Sequence, residues 1–171
     1  MCLPVQAEHL KFMGIPLTGT ITQFQQKLAA KGVTHDKKAS ATVPVGTRFF
    51  SGTFAGSKAE IVVWYDADTK IVYGAKAVFD CYSTSSRDLQ YNDIKNMLSA
   101  KYSEELYGTD YENGHENYKI SIIDDEGNTI GVISLYCSQG EFPYDEIYFV
   151  QVEYLDALNY IKNQNSKMND L

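Results

Sequence analysis

Thr20-Ile21-Thr22-Gln23-Phe24-Gln25-Gln26-Lys27-Leu28-Ala29-Ala30-Lys31-Gly32 is answered later in the chain by Ile94-Lys95-Asn96-Met97-Leu98-Ser99-Ala100-Lys101-Tyr102. Phe24 aligns with Ile94, and Leu28-Ala29-Ala30-Lys31 aligns with Leu98-Ser99-Ala100-Lys101. Both stretches read as helices, and three strand-like runs follow each. A period of about 70 residues is too long for a solenoid and predicts a duplicated helix-plus-sheet unit. The first helix carries its own start and stop. Thr20 with Gln23 makes a capping box, in which each side chain satisfies a backbone donor of the first turn. Ile21, Phe24 and Leu28 share one face at helical spacing. Gly32 stands where a left-handed residue can close the helix.

Outward from these helices the pattern turns to strands. Phe12-Met13-Gly14-Ile15-Pro16-Leu17 is apolar but broken, and reads as a short edge strand or an extended lead-in. Residues 33–46 read as a loop. Arg48 to Phe54, Ala59 to Tyr65 and Ile71 to Tyr82 form the first triplet. Ile61 to Tyr65 is apolar on both faces and so belongs at the centre of a sheet. Ser83-Thr84-Ser85-Ser86 caps the second helix, whose buried stripe is Tyr91, Ile94, Leu98 and Tyr102. Tyr107 to Asn117 reads as a loop. Tyr118 to Ile123, Ile130 to Cys137 and Ile147 to Tyr154 form the second triplet. Asp125-Glu126-Gly127-Asn128 supplies a hairpin turn. Leu155 to Asn163 reads as a closing helix and residues 164–171 as a frayed tail.

The order is α-βββ-α-βββ-α. Short turns within each triplet require antiparallel neighbours. The fold class is α+β, a two-layer sandwich of duplicated α-βββ units with the helices on one face of a mostly antiparallel sheet. The sheet is either one continuous set of about six strands or two small sheets side by side. A shared core is favoured, because three strands and one helix bury too little apolar surface alone. Residues 8–163 then form one domain, with repeats over about 8–82 and 83–154.

The stretch His9 to Val33, through Ile15, Gly19, Thr22, Phe24, Leu28 and Gly32, resembles the opening of a family of small exported bacterial proteins of uncharacterised function. More distantly it resembles the repeat of β-lactamase-inhibitor-like proteins and of small outer-membrane assembly lipoproteins. The resemblance implies export and a helix-then-sheet repeat; fold analogy does not by itself give function. The inhibitor-like repeat places two helices before its sheet, whereas this chain shows one clear helix per unit. No inhibitory residue carries over.

Composition narrows the functional classes. Of 171 residues, 44% are hydrophobic, enough for a real core. The net charge of −7, without a dense basic stripe, opposes nucleic acid and anionic membrane surfaces. No apolar run reaches the length of about 20 residues that a spanning helix needs. Val5-x-Ala7 before Glu8 fits a small-residue cleavage pattern, so residues 1–7 read as the remnant of a secretion signal and the protein as periplasmic or cell-surface. The same residues also suit an unstructured N-terminus. Loss of Cys2 with that signal leaves Cys81 and Cys137, either a disulfide or two buried free thiols.

Catalytic signatures are sparse. His9, His35 and His115 stand apart from one another, so no metal or cofactor is implied. Asp66-x-Asp68 and Asp124-Asp125-Glu126 lie within turns, where carboxylates cap their own backbone; paired catalytic carboxylates face each other across a cleft. A weak calcium site at Asp124-Asp125-Glu126 is conceivable on charge alone. Two loops attract a binding role: Tyr107 to Tyr111, and Gln139 to Tyr144 with Phe142 and Tyr144. Aromatic groups there can anchor a protein or a sugar. They can equally fold back to plug the core, since exposed apolar groups are a liability. The expectation is a non-catalytic, exported binding or protein-interaction module, with a small cell-envelope hydrolase as the alternative.

Overall fold

The lead-in before the first helix folds as a hairpin. β1 (Lys11–Phe12) and β2 (Ile15–Pro16) pair antiparallel about Met13 and Gly14, both at positive φ. The computed structural model describes residues 8–102, 106–112, 115–141 and 143–168, with the backbone alone for 106–112 and 115. α1 (Ile21–Ala29) follows, then β3 (Thr34–His35) and the one-turn α2 (Lys37–Ser40). β4 (Thr47–Phe54), β5 (Ser57–Tyr65) and β6 (Val72–Cys81) lead to α3 (Thr84–Lys101). β7 (Leu106–Glu112), β8 (His115–Ile123), β9 (Thr129–Gln139) and β10 (Tyr148–Asp156) run into α4 (Ala157–Met168).

The chain is α+β with an antiparallel main sheet. That sheet has eight strands in the order β3-β4-β5-β6-β10-β9-β8-β7. Each run of consecutive strands meanders, and the last strands of the two runs pair, from Tyr148↔Cys81 to Leu155↔Gly74. Three expectations change. Residues 33–46 contain β3 and α2, the latter capped by Asp36, whose Oδ1 accepts from the Ala39 amide at 2.8 Å. The stretch Tyr107 to Asn117 is not a loop: its backbone forms β7 and the start of β8, paired from Leu106↔Ser121 to Glu112↔His115. The closing helix runs on to Met168, so residues 164–168 are helical rather than frayed.

The expected caps form. The Thr20 and Gln23 box closes reciprocally at 3.0 and 3.3 Å, and Ser83 with Ser86 does the same for α3. Gly32 has φ of +80°. α1 buries Ile21, Phe24 and Leu28, and α3 buries Tyr91, Ile94 and Leu98 at matching positions. These side chains join one core with Phe50, Ile61, Val63, Ala75, Ala77, Phe79, Ile133, Leu135, Val150, Val152 and Tyr154. The strand members alternate in sequence, so residues of the opposite parity form the sheet's other face. Ala75 and Ala77 are fully buried within this core.

Buried polar groups tie the chain's ends to the sheet. Asp156 is wholly buried. It accepts from the Leu10 amide at 2.9 Å and the Asn159 amide at 3.0 Å, and His9 Nδ1 lies 3.0 Å away. One carboxylate thereby caps α4 and fixes the N-terminal hairpin. On the next turn Asn159 donates to the Leu17 and Val72 carbonyls, and Asn163 donates to Asp66. Gly131 is required beside this seam, because a Cβ there would meet the Leu155 carbonyl and Leu10.

Two outcomes test this arrangement. Replacing Asp156 with Ala strands two buried amide donors and lowers stability by about 2–4 kcal/mol, read as a lower urea midpoint with unchanged slope. Asp66 is held below the ordinary carboxylate range, chiefly by the Thr69 amide and also by Asn163 and the Asp68 amide. Its stabilisation is fully present above an unfolded value of about 3.9 and is lost as pH falls through the lower folded value. The fall in urea midpoint between pH 5 and pH 3, values that bracket that threshold, is therefore smaller in Asp66→Asn than in the parent.

Candidate functional site

The sheet face of opposite parity to the core residues carries a band of aromatic and charged side chains across five adjacent strands. β4 and β5 supply Phe49, Glu60, Val62 and Trp64; β6 supplies Lys76 and Val78; β10 supplies Phe149, Gln151 and Glu153; β9 supplies Tyr136 and Ser138. Register puts them side by side: Val62↔Lys76, Lys76↔Glu153 and Gln151↔Tyr136. A shallow depression of about 350 Å³ is lined by Phe49, Trp64, Lys76, Phe149 and Gln151 among others. A second, of about 700 Å³, continues over Lys58, Glu60, Asp80, Tyr82 and Ile147.

A hydrogen-bond relay links the side chains at the band's centre. Lys76 Nζ donates to Gln151 Oε1 at 2.7 Å, and Gln151 Nε2 donates to Ser138 Oγ at 2.8 Å. The Tyr136 hydroxyl donates to Glu153 at 3.2 Å. Lys76 Nζ also stands 5.7 Å from the centre of the Trp64 ring, a cation–π contact. Burial lowers the Lys76 ammonium, while Glu153 and Glu60 oppose that shift. Burial, then the carboxylates of Asp80 and Asp36, raise Glu60. Burial, reinforced by Glu153, raises the Tyr136 hydroxyl. Along the band Glu60, Asp80 and Glu153 stand against Lys58 and Lys76, so carboxylates outnumber cations there. The relay fixes the orientation of its donors and acceptors. Ser138 Oγ receives its hydrogen bond from an amide, and neither His nor Cys belongs to the relay, so among the described residues it assembles no activated nucleophile.

The residues expected to bind are dispersed. Tyr144 is 65% exposed in the β9–β10 loop and does not plug the core. Its backbone packs so closely on Gly140 that a Cβ there would clash with the Tyr144 carbonyl. Phe142 lies outside the described residues. Tyr107 and Tyr111 lie on β7, at the far edge from β10, and their side chains are likewise outside the described residues. The turn carboxylates behave as backbone caps: Asp124 accepts from the Glu126 and Asn128 amides at 2.9 and 2.8 Å, and Asp66 from those of Asp68 and Thr69. Among the described residues no group of three metal-ligating side chains forms, and no helix is long and apolar enough to cross a membrane.

Cys81 and Cys137 are free thiols rather than a disulfide. Both strands border β10, which lies between them, with Cys81 opposite Tyr148 and Cys137 opposite Val150. Two strand spacings of about 4.8 Å each exceed the Cα separation of about 4.4–6.8 Å that a disulfide tolerates. Burial raises both thiols, Cys137 to about 11.

Sequence comparison adds nothing to this geometry: no protein-family model, curated protein or solved structure matches the chain.

The thiols provide a direct check. Thiolate is the reactive form, so in a Cys2→Ser chain at pH 8, below the ordinary thiol value of about 8.5, both cysteines alkylate roughly a hundredfold more slowly than in guanidinium. Rapid modification of either in the native protein would contradict the assigned burial.

Proposed function

We propose that this chain is a non-catalytic binding module that takes a basic protein surface on the sheet face of Phe49, Trp64, Tyr136 and Phe149. The observation that carries this reading is the half-buried aromatic band around a fixed Lys76–Gln151–Ser138 relay, bordered by Glu60, Asp80 and Glu153. Large rings at low conformational cost, with polar groups already oriented, are what a protein-binding surface uses. Exposed Tyr82 and Tyr144 extend the band at the end of the sheet where β9 turns into β10.

This reading takes the helical layer to cover one face of the sheet and leave the other for the partner. It also takes the two halves as copies of one unit. The strand order, in which β3–β6 mirror β10–β7, supports that, as do the matched buried positions of α1 and α3. Export, proposed from the Val5-x-Ala7 pattern, places the encounter in the cell envelope or outside the cell. The hydrolase alternative draws no support from thiols kept protonated by burial.

The test is affinity capture from envelope and secreted fractions of the source cell. Trp64→Ala and Phe149→Ala should each weaken a stoichiometric partner by about 2 kcal/mol, roughly thirtyfold, while Met97→Ala, on a different surface, leaves it bound. Retention by the double face variant would refute the assigned surface. Glycan binding without any protein partner would transfer the same face to sugar recognition.

A further inference from the structure

A second depression, of about 540 Å³, opens on the helix side of the sheet, between the N-terminal hairpin, the β4–β5 turn, α3 and β10. Its floor is apolar: Phe54, Ile94, Leu98 and Tyr154, with Met13 and Met97 at the sides. Met97 is 51% exposed, high for a large apolar side chain on a structured helix. Three lysines, Lys11, Lys31 and Lys101, complete the lining, and among the described residues no carboxylate does. They come from β1, the segment after α1 and the last turn of α3. Among the described residues none of the three forms an ion pair. In a chain of net charge −7, such a gathering of cations around an apolar floor needs a cause. Helix dipoles account for a basic group at the end of α1 or α3, but not for Lys11 or for the apolar floor among all three.

The turns at the mouth add a second cause for attention. Met13 and Ala55 hold φ of 52° and 49°, left-handed values that Gly or Asn adopts more cheaply in such hairpins. Both instead present methyl surface to the depression. Unfavourable backbone retained where a surface is shaped for contact is a mark of function. The volume falls within the range of roughly 300–1,000 Å³ typical of small-molecule sites.

We propose that this groove binds a single-chain anionic amphiphile, a fatty-acid carboxylate. Its head lies among Lys11, Lys31 and Lys101, and its chain runs over Phe54, Ile94 and Leu98 between the two methionines. Charge complementarity selects the head group, and the methionine walls adapt to a flexible chain. This site is separate from the acidic sheet face: Tyr154 points into it, whereas Glu153 belongs to the opposite surface.

Titration of the full chain, carrying methyl-labelled methionine, with dodecanoate below its micellar concentration tests the proposal. The Met13 and Met97 methyl resonances should shift while those of Met168 and the Trp64 indole stay in place. Affinity should rise about two- to fourfold per methylene from octanoate to dodecanoate. The exposed double variant Lys31→Gln/Lys101→Gln should keep its thermal midpoint and bind about five- to tenfold more weakly. Equal affinity for dodecyltrimethylammonium would overturn the proposal, because the lysines would then select nothing. So would perturbation centred on Trp64, or capture of an acidic helical peptide with no response to dodecanoate, which would make the groove a protein-docking surface.

Discussion

Antiparallel pairing of β6 with β10 joins the last strand of each meander, from Cys81 opposite Tyr148 to Gly74 opposite Leu155. Without it each half would present a long unpaired edge and a core of one helix on a few strands, too small to offset the entropy of ordering the chain. With it, Ile61, Ala77, Val152 and Leu135 stand in adjacent rows of one sheet, and Phe24 and Ile94 pack into a common core. The seam is also where the polar groups meet. Lys76 from one half reaches Gln151 from the other, and Glu153 lies opposite Lys76 in register.

The seam is pinned at one end by Asp156. A carboxylate buried completely would be costly unless its acceptors were filled, and here two amides and the His9 ring converge on it. Asn159 and Asn163 repeat the device on successive turns of α4, reaching Leu17, Val72 and Asp66. These contacts span most of the chain in sequence. They hold the N-terminal hairpin, and with it Lys11 and Met13, against the sheet. The geometry of the lysine-lined groove thus depends on polar groups far from it.

What was legible in the sequence is what local chemistry decides. The Thr20–Gln23 box, the Ser83 cap, Gly32 and the parity of Ala75, Ala77 and Phe79 all follow from near neighbours. β7 was hidden because an edge strand is fixed by the backbone of its one partner, and Gly108 and Asp110 mask it by composition. The length of α4 was hidden because its buried stripe is Asn159 and Asn163, polar residues that hydrophobic periodicity reads as solvent-facing. The disulfide failed on strand order: no local signal places β10 between Cys81 and Cys137. For the same reason Lys76, Gln151 and Tyr136 read singly as ordinary outward positions. They form a site only once β5, β6, β10 and β9 lie side by side.

Strand alternation also sorts charge. Along β10, Val152 and Tyr154 face the core, Tyr154 also lining the groove with the lysines, while Gln151 and Glu153 belong to the opposite face. Two surfaces of opposite character are thereby separated by the thickness of a single sheet. On the proposed reading, a cationic partner is drawn to Glu60, Asp80 and Glu153 and repelled by Lys11, Lys31 and Lys101, and an anionic ligand is steered the other way. Each surface rests on a scaffold that does not need to move: the acidic band on paired strands and a closed relay, the groove on Ile94, Leu98 and Tyr154, all part of the core. Binding energy at either surface is then not consumed in ordering the protein. The residues free to adapt are Met13, Met97 and the lysine side chains, and they lie at the groove's rim, where a ligand of variable length would require it.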